Sequence, residues 1–286
     1  MAKKTTLKAN CFGLPYMGSK NGIAKRIVAL LPRATHFYDL FCGGCAITHV
    51  AMLSGKWQQY HINDISMMPQ LFADAVAGKY ANERRWISRE DFFRLKDTDP
   101  YVACVWSFGN DCRNYMYGKD IEEVKHALHD IHFATTSQDR NEAMARYREL
   151  TNGIQKQRLG EAEHLERLQR LQRLERLQSL QSLQSLQSLQ GDYRDVPIED
   201  DAVIYCDPPY KDTAEYAHGE FDHKAFYDWC EAQTQPVYIS EYSMPSDRFV
   251  CIAEFSKPSL FRNEGLEKKK MVIEKVFRPR KQVIGA

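Results

Sequence analysis

Three short apolar runs that each lead to an aspartate are the clearest pattern along the chain. They occupy residues 36–39, 59–64 and 202–206, and Asp207 directly follows the third. Runs of this length predict buried strands, whereas the stretches at residues 21–31, 46–53 and 65–76 predict helices. This alternation predicts a doubly wound α/β sheet built from about residues 1–83 and 191–286.

The third run ends in Asp207, Pro208, Pro209 and Tyr210, which we predict to form the catalytic site. Ligands of open α/β sheets bind at the carboxyl ends of the strands. There the Asp207 carboxylate and the Pro208 carbonyl can accept both hydrogens of an exocyclic amino group, while Tyr210 stacks on the base. The motif therefore indicates methylation of a DNA base. The alternative is a proline-rich turn after a core strand.

The segment after the first predicted strand has the glycine turn that a methyl donor requires. Gly43 and Gly44 let the backbone approach a ligand closely and are followed by the apolar helix 46–53. The chain contains neither G-x-G-x-x-G nor G-K-S/T, which argues against a dehydrogenase or an NTPase. Asp64 ends the next strand at the spacing of a ribose ligand, although it can also cap the following helix.

Four segments in this order resemble the DNA adenine methylase family, the Dam-type enzymes. Residues 15–20 are similar to the family's K-W-A-G-G-K, residues 39–46 to its D/E-x-F-x-G-x-G loop, residues 62–65 to A-D-I-N, and residues 207–210 are its D-P-P-Y. Residues 236–240 and 268–277 resemble two later strands of the family. Tyr16 stands where the family often has Trp, and Cys45 replaces the second glycine of the loop.

The resemblance implies transfer of a methyl group from S-adenosylmethionine to N6 of a flipped adenine in double-stranded DNA, without a metal. GATC is the recognition sequence that it implies. The residues expected to bind the cofactor are Tyr16, Gly18, Lys20, Asp39, Phe41, Gly43, Gly44, Asp64, Ile65, Asp192, Tyr193 and Asp207. One alternative is an N4-cytosine methyltransferase, although enzymes of that type more often have Ser in place of Asp207. The other is an inactive DNA-binding scaffold.

Residues 84–190 differ in composition from both flanking segments, and we predict a mostly helical insertion that recognises DNA. Within it, residues 106–117 combine aromatic, Asn and Arg side chains. The residues expected to contact DNA are Asn110, Arg113, Asn114 and Tyr115. Arg113 is the preferred base-reading residue because Arg makes bidentate contacts with guanine. A structural loop packed on aromatic side chains is the alternative.

The insertion ends in a low-complexity tract, residues 165–189, with Leu at every third position. Three residues turn an α-helix by about 300°, so the leucines circle the helix and form no fixed apolar face. A long linker helix is predicted because Leu, Gln, Arg and Glu favour helices. Self-association is the alternative, although a coiled coil needs alternating spacings. Residues 191–196 are expected to return the chain to the sheet.

Composition predicts a globular cytoplasmic enzyme. The 286 residues are 43% hydrophobic, have a formal net charge of +1, and include no apolar stretch long enough to span a membrane. The eight cysteines are irregularly placed, which predicts reduced thiols and no zinc site. Because the net charge is small, DNA must bind a local basic surface. The candidate residues for it are Lys3, Lys4, Lys8, Arg140, Arg146, Arg148, Lys156, Arg158, Lys268, Lys269 and Lys270. A monomer on DNA or a weak dimer is expected, and a restriction partner stays undecided.

Overall fold

The structure is a computed structural model that describes residues 11–16, 18–152, 161–181, 185–210, 221–258 and 271–284. Its helices are α1 Ala24–Leu30, α2 Ala46–Ser54, α3 Met68–Val76, α4 Arg89–Leu95, α5 Pro100–Val105, α6 Glu122–Phe133, α7 Ser137–Thr151, α8 Glu161–Leu177, α9 His223–Ala232 and α10 Lys281–Ile284. Its strands are β1 His36–Asp39, β2 Gln59–Asp64, β3 Ser185–Gln190, β4 Ala202–Cys206, β5 Val237–Glu241, β6 Phe249–Pro258 and β7 Met271–Pro279. Among the described helices, none is long and apolar enough to cross a membrane.

The chain divides into two compact units. One contains the described parts of residues 1–17 and 74–181, and the other those of residues 18–73 and 182–286. The second unit holds a seven-stranded sheet in the order β3-β2-β1-β4-β5-β7-β6. Pairing is parallel from β3 to β5, whereas β7 runs antiparallel to both of its neighbours. The prediction of a doubly wound α/β sheet is confirmed.

The strand order reverses at β1, which pairs with β2 on one side and β4 on the other. In register, Asp39 lies opposite Ile62 of β2 and Tyr205 of β4. All five side chains of β4 are buried, as expected of a central strand covered on both faces. A ligand-binding crevice of an open sheet lies at such a reversal, on the carboxyl side of the strands. Asp39 and Asp207 both lie there.

The predicted strands are observed, but two helices begin later than predicted. Helix α1 begins at Ala24 rather than at residue 21, and α3 begins at Met68 rather than at residue 65. The delay in α3 has a local cause, because the Ser66 backbone N–H and hydroxyl both donate to the Asp64 carboxylate, at 2.9 and 2.7 Å. This turn takes up the residues that would otherwise form the first turn of the helix.

The leucine tract changes from helix to strand. It is helical in α8, followed by a short 3₁₀ turn at Gln178–Leu180, and its last two triads form β3. The helix prediction is therefore wrong for Ser185–Gln190, which pair residue by residue with Gln59–Asp64 of β2. The free hydrogen-bonding edge of β2 outweighs the weak strand preference of Ser, Leu and Gln. The chain accordingly returns to the sheet before Gly191.

The first unit contains α4 to α8 around an aromatic core. Trp106 is fully buried and its ring packs edge-on against Trp86, with centroids 5.1 Å apart. Two arginines of α8 are also buried. Arg167 lies over the Trp106 ring at 4.5 Å, and Arg170 donates to the Ser107 carbonyl at 2.7 Å. The consecutive leucines of the tract from 168 to 180 are buried in this unit, which agrees with a helix that has no single apolar face.

Candidate active site

Carboxylates from separate strands meet at the carboxyl edge of the sheet. Asp39 ends β1, Asp64 ends β2, and Asp207 follows β4. The reversed strand β7 contributes Glu274 to the same edge, because Lys275 lies opposite Glu241, the last residue of β5. Parallel strands bring their ends together, so residues distant in sequence form one acidic site.

Lys20 links two of these carboxylates. Its ammonium lies 2.8 Å from Asp207 Oδ2 and 3.7 Å from Glu274 Oε1. Lys20 is 6% exposed, Glu274 is fully buried and the Asp207 side chain is 18% exposed, so water screens this group only weakly. The second Asp207 oxygen, Oδ1, is buried and has no hydrogen-bond partner among the described residues.

The charges of this group depend on one another. Burial raises the pKa of Asp207 and the Glu274 carboxylate adds to this effect, whereas the Lys20 ammonium opposes it. Burial lowers the pKa of Lys20, but the Asp207 and Glu274 carboxylates outweigh it, so the net change is upward. Lys20 therefore stays protonated and favours the ionised form of Asp207.

Tyr210 is held by the same group. Its hydroxyl donates to Glu274 Oε1, and its ring has the Lys20 ammonium 4.7 Å from the centroid. Tyr242, just after β5, meets the Tyr210 ring edge-on at 4.7 Å between centroids. In the D-P-P-Y segment, Pro208 is buried and Pro209 is half-buried. The predicted catalytic residues therefore form one rigid segment after β4.

The glycine turn lies next to Asp64. Gly43 has φ +44°, in the range that favours glycine, and its N–H donates to Asp64 Oδ2 at 2.9 Å. Asp39 is buried beside this turn and accepts from the Thr48 hydroxyl at 2.6 Å. Burial raises the Asp39 pKa to about 7, the Thr48 hydrogen bond opposes this, and the carboxylates of Asp207 and Asp64 add to it.

The other predicted cofactor residues occupy different surroundings. Phe41 and Tyr193 pack together with ring centroids 5.1 Å apart, and Tyr193 is buried. Asp192 caps the short 3₁₀ turn at Tyr193–Asp195 and pairs with Arg194 at 2.6 Å. Ile65 is 55% exposed beside Asp64. A tilted pair of aromatic rings and an exposed apolar side chain thus lie near the ends of β1 and β2.

The opening segment is divided between the units. Gly18 and Lys20 belong to the second unit, whereas Tyr16 belongs to the first and is half-buried. Gly18 is exposed and has φ +82°, which a residue with a side chain rarely adopts. The structure thus brings Lys20 to the carboxylates.

The predicted DNA-contacting segment, residues 106–117, contains a loop between Ser107 and Tyr115, here called the surface loop of the first unit. Ser107 and Tyr115 form an antiparallel bridge, and the Asp111 carboxylate accepts from the backbone N–H groups of Arg113 and Asn114. Arg113 and Asn114 are exposed. Tyr115 is buried and its hydroxyl donates to the Ile87 carbonyl at 2.7 Å, so the structural alternative fits this residue.

Several residues of the two sites were not predicted. Phe108, in the surface loop, is 60% exposed, which is unusual for a phenylalanine. Glu274 lies in β7 and Tyr242 directly follows β5, whereas Thr48 and Ser66 donate to the carboxylates of Asp39 and Asp64. Of the proposed basic residues, Arg146 pairs with Glu123 and Asp130. Those that lie outside the described residues are Lys3, Lys4, Lys8, Lys156, Arg158, Lys268, Lys269 and Lys270.

The chain is similar to one protein family and to two solved structures. The model of the D12 class N6 adenine-specific DNA methyltransferase family matches residues 16–234. Two solved structures of the rRNA methyltransferase aviRa from Streptomyces viridochromogenes are also similar. One is 13% identical, covers 92% of this chain and 84% of its own, and has a TM-score of 0.38. The other is 14% identical, with 98% and 90% covered and a TM-score of 0.40. No curated protein matches the chain.

The family match identifies a methyltransferase, and its core is an α/β sheet. The chain belongs to the D12 class N6 adenine-specific DNA methyltransferase family, whose model matches well over half of it. Its activity is therefore methylation of the N6 amino group of adenine in DNA. The resemblance to Dam-type enzymes and the adenine prediction are confirmed, and the N4-cytosine alternative is not supported.

Proposed function

We propose that the methyl donor is S-adenosylmethionine and that the carboxyl edge of the second unit binds it. The donor supplies an electrophilic methyl group on a positively charged sulfonium. An edge lined by Asp39, Asp64 and Asp207 suits this charge and the ammonium of the donor's methionine part. Asp39 Oδ1 is buried and has no partner among the described residues, which leaves an acceptor for such a donor group.

The glycine turn and Asp64 are proposed to hold the nucleoside part. Gly43 already donates to one Asp64 oxygen, which orients that carboxylate at the end of β2. A carboxylate at this position in doubly wound sheets accepts from ribose hydroxyls. Ile65 offers an exposed apolar surface beside it for the adenine ring, and the Phe41 and Tyr193 rings support the turn from the other side.

Asp207 is proposed to hold the target adenine, and its free oxygen is the observation that carries this assignment. Oδ2 is occupied by Lys20, whereas the buried Oδ1 has no partner among the described residues. One amino hydrogen of adenine can donate to Oδ1 and the other to the Pro208 carbonyl. Both contacts draw electron density toward the nitrogen, which would attack the methyl group in line. The carbon–sulfur bond of the donor would break as the nitrogen–carbon bond forms, and its electron pair would stay on the sulfur, which becomes a neutral thioether. The nitrogen loses one proton as the new N–C bond forms, and the raised pKa of Asp207 suits its carboxylate to accept that proton.

Tyr210 is proposed to stack on an adenine flipped out of double-stranded DNA. Glu274 and Tyr242 fix its hydroxyl and ring before the base arrives, so little side-chain freedom is lost on binding. Stacking contributes about 1–3 kcal/mol per base, which offsets much of the few kcal/mol that flipping costs. A 2-aminopurine at the target position should brighten on binding, and an unchanged signal would argue against flipping.

The surface loop of the first unit is proposed to recognise the DNA sequence. Arg113 is exposed and its backbone is fixed by Asp111, so its guanidinium can reach a guanine edge. Asn114 is exposed beside it, Asn110 lies in the same loop, and the exposed Phe108 ring can stack on a base. The sequence that is read has to be determined by experiment.

The test uses the purified chain, S-adenosylmethionine and unmethylated genomic DNA, with nucleoside mass spectrometry and single-molecule mapping of the products. Asp207→Ala should reduce single-turnover transfer by roughly hundredfold or more while the donor still binds. Asp64→Ala should instead weaken donor binding first, as measured by calorimetry. Full transfer activity in Asp207→Ala would rule out the proposed mechanism, and a donor affinity unchanged in Asp64→Ala would rule out the proposed ribose ligand.

A further inference from the structure

The turn between β1 and α2 contains a pair of cysteines separated by two glycines. Its sequence is Phe41-Cys42-Gly43-Gly44-Cys45, a C-x-x-C arrangement. The irregular placement of the eight cysteines predicted reduced thiols. All eight are free in the structure, yet Cys42 and Cys45 are next to each other.

The backbone holds the two thiols close together. The Cys45 N–H donates to the Cys42 carbonyl at 2.6 Å, which closes a four-residue turn. The Cys45 thiol donates to Cys42 Sγ at 3.4 Å. The α-carbons across such a turn are less than about 7 Å apart, which overlaps the separation found in disulfides. A disulfide has a sulfur–sulfur distance of about 2.0 Å, so closure requires the sulfurs to approach by roughly 1.4 Å.

The same turn is tied to the residues proposed to bind the donor. Between the two cysteines, Gly43 donates to Asp64 Oδ2 at 2.9 Å, and the Cys42 N–H donates to the Asn63 carbonyl at 3.0 Å. Cys45 has φ +55°, a left-handed conformation that is uncommon for a residue with a side chain. Drawing the sulfurs together is therefore expected to shift the glycines between them and with them the Gly43 N–H.

We propose that Cys42 and Cys45 form a reversible disulfide, which makes binding of S-adenosylmethionine depend on the redox state of this turn. The second part rests on the proposed function. The oxidant is a peroxide. The Cys42 sulfur attacks one peroxide oxygen and becomes a sulfenic acid with release of water, and the Cys45 thiol then displaces a second water from that sulfur. Two thiols lose two electrons and two protons in total, and one hydrogen peroxide becomes two waters.

Burial determines how readily this reaction occurs. Cys42 is 7% exposed and Cys45 is fully buried, so a molecule as small as hydrogen peroxide is favoured over a protein or peptide disulfide. Burial raises the pKa of both thiols, which leaves little thiolate at neutral pH. Since the thiolate is the reacting form, oxidation should accelerate as pH rises above neutral. The reverse reaction requires a dithiol reductant, which reduces the disulfide by exchange.

The experiment treats the full chain with hydrogen peroxide, alkylates the remaining thiols, and analyses tryptic peptides by mass spectrometry. Both cysteines lie on one tryptic peptide, residues 34–56, so the disulfide appears as the loss of two hydrogens and of both alkyl groups. Donor affinity is measured on the same samples. Oxidised protein should bind S-adenosylmethionine about tenfold more weakly or worse, because a shift of about 1 Å in a positioned contact has effects of this size or larger. Dithiothreitol should restore binding.

Two variants provide the controls. Cys45→Gly removes one thiol at a position whose positive φ glycine accepts readily, and its affinity for the donor, whatever its value, should not change on peroxide treatment. Cys251→Ser removes the exposed cysteine of β6 and should remain as sensitive as the original chain. Thiols that stay alkylatable after peroxide treatment would overturn the proposal, as would a disulfide that leaves affinity unchanged. Failure of the reduced protein to bind the donor at all would instead overturn the proposed function, together with the coupling that rests on it.

Discussion

At the residue scale, Asp207 is the centre of a balance between one cation and one anion. The Lys20 ammonium lies 2.8 Å from one Asp207 oxygen. The same ammonium lies 3.7 Å from a carboxylate oxygen of Glu274. The two neighbours shift the Asp207 pKa in opposite directions, and burial adds to the effect of Glu274. The pH at which Asp207 becomes a carboxylate therefore depends in part on Lys20 and Glu274, which do not touch the substrate in the proposed mechanism.

Substitutions of these two neighbours should displace the pH profile in opposite directions. Lys20→Met removes the charge that lowers the Asp207 pKa, so single-turnover methylation should require a higher pH. Glu274→Gln removes a charge that raises it and keeps an acceptor for the Tyr210 hydroxyl, so the profile should move to lower pH. Glu254→Gln, at an exposed ion pair on β6, is the matched control and should leave the profile unchanged. Shifts in the same direction for both variants would contradict this account.

Asp39 gives a prediction about stability. Its pKa rises from 3.8 to about 7 because it is buried, so between these values the folded protein keeps a proton that the unfolded chain has released. The free energy of unfolding therefore falls as pH rises through this window. The Asp39→Asn variant has no ionisable group at this position, so its free energy of unfolding should not fall in this window. Above neutral pH that free energy should exceed the value for the original chain by up to about 4 kcal/mol. Urea unfolding of donor-free protein across the window measures this, and parallel pH curves for the two proteins would refute it.

The residues of the site differ in how far sequence could predict them. Asp39 and Asp64 end short apolar runs and Asp207 directly follows one, so the predicted strand ends identify all three. Glu274 carries no such signal, because it is the fourth residue of a strand and not its end. It reaches the site because β7 runs antiparallel to its neighbours. Tyr115 was expected at the DNA surface from the residue types of segment 106–117, yet it is buried. Burial depends on tertiary packing, which residue types alone do not show.

At the element scale, β3 has a property that follows from its repeat. It consists of two Ser-Leu-Gln triads after a tract of the same triads, so moving the chain by three residues puts an identical residue at every position opposite β2. Pairing with β2 therefore does not by itself fix the register. Gly191 does, because its N–H donates to the Asp64 carbonyl at 3.1 Å and its carbonyl accepts from Asn63 at 3.0 Å.

An inserted triad should consequently be tolerated where a single residue is not. Inserting Gln-Ser-Leu between Leu189 and Gln190 reproduces the repeat, and the longer connection should cost less than about 1 kcal/mol. Inserting one Ser at the same point puts Ser in the place of Leu189, which packs against the core, and turns that leucine to the opposite face. Thermal unfolding of both variants compares the costs. Equal destabilisation would show that the register is not set at Gly191.

The same element shows why its structure was missed. The neighbouring strands β2, β1 and β4 are short runs that end at or directly before an aspartate, and their bounds agree with prediction. In β3 the leucines recur every third residue, which matches neither the period of a strand nor that of a helix. The tract becomes a strand only where an unpaired sheet edge is available, and a tertiary partner of this kind is not visible in a local pattern.

At the scale of the whole molecule, the two units separate the proposed roles. The residues proposed for donor binding and catalysis, apart from Tyr16, lie in the second unit, and the surface loop with Arg113 lies in the first. A formal net charge of +1 gives little general attraction for DNA, so individual contacts must carry recognition. Substitutions in one unit should therefore affect one function and leave the other unchanged.

Arg113→Ala tests this division. It should relax sequence preference by about 1–3 kcal/mol at one base position, the range for a lost bidentate contact, without a change in donor affinity. Arg94→Ala removes another exposed arginine of the first unit, one that pairs with Asp91, and should leave the preference as it was. Mapping of methylated sites in a mixed-sequence DNA library measures both variants. An unchanged site preference for Arg113→Ala would exclude it as the base-reading residue.

The division of the chain also has a consequence during synthesis on the ribosome. Residues 74–181 form most of the first unit, are made as one block after residues 1–17, and can begin to fold as they emerge. The sheet cannot, because β1 lies between β2 and β4, and β4 is made only after that block. Until then β1 exposes one unpaired side. The first strands of the sheet therefore stay partly unpaired and prone to aggregation until translation supplies β4.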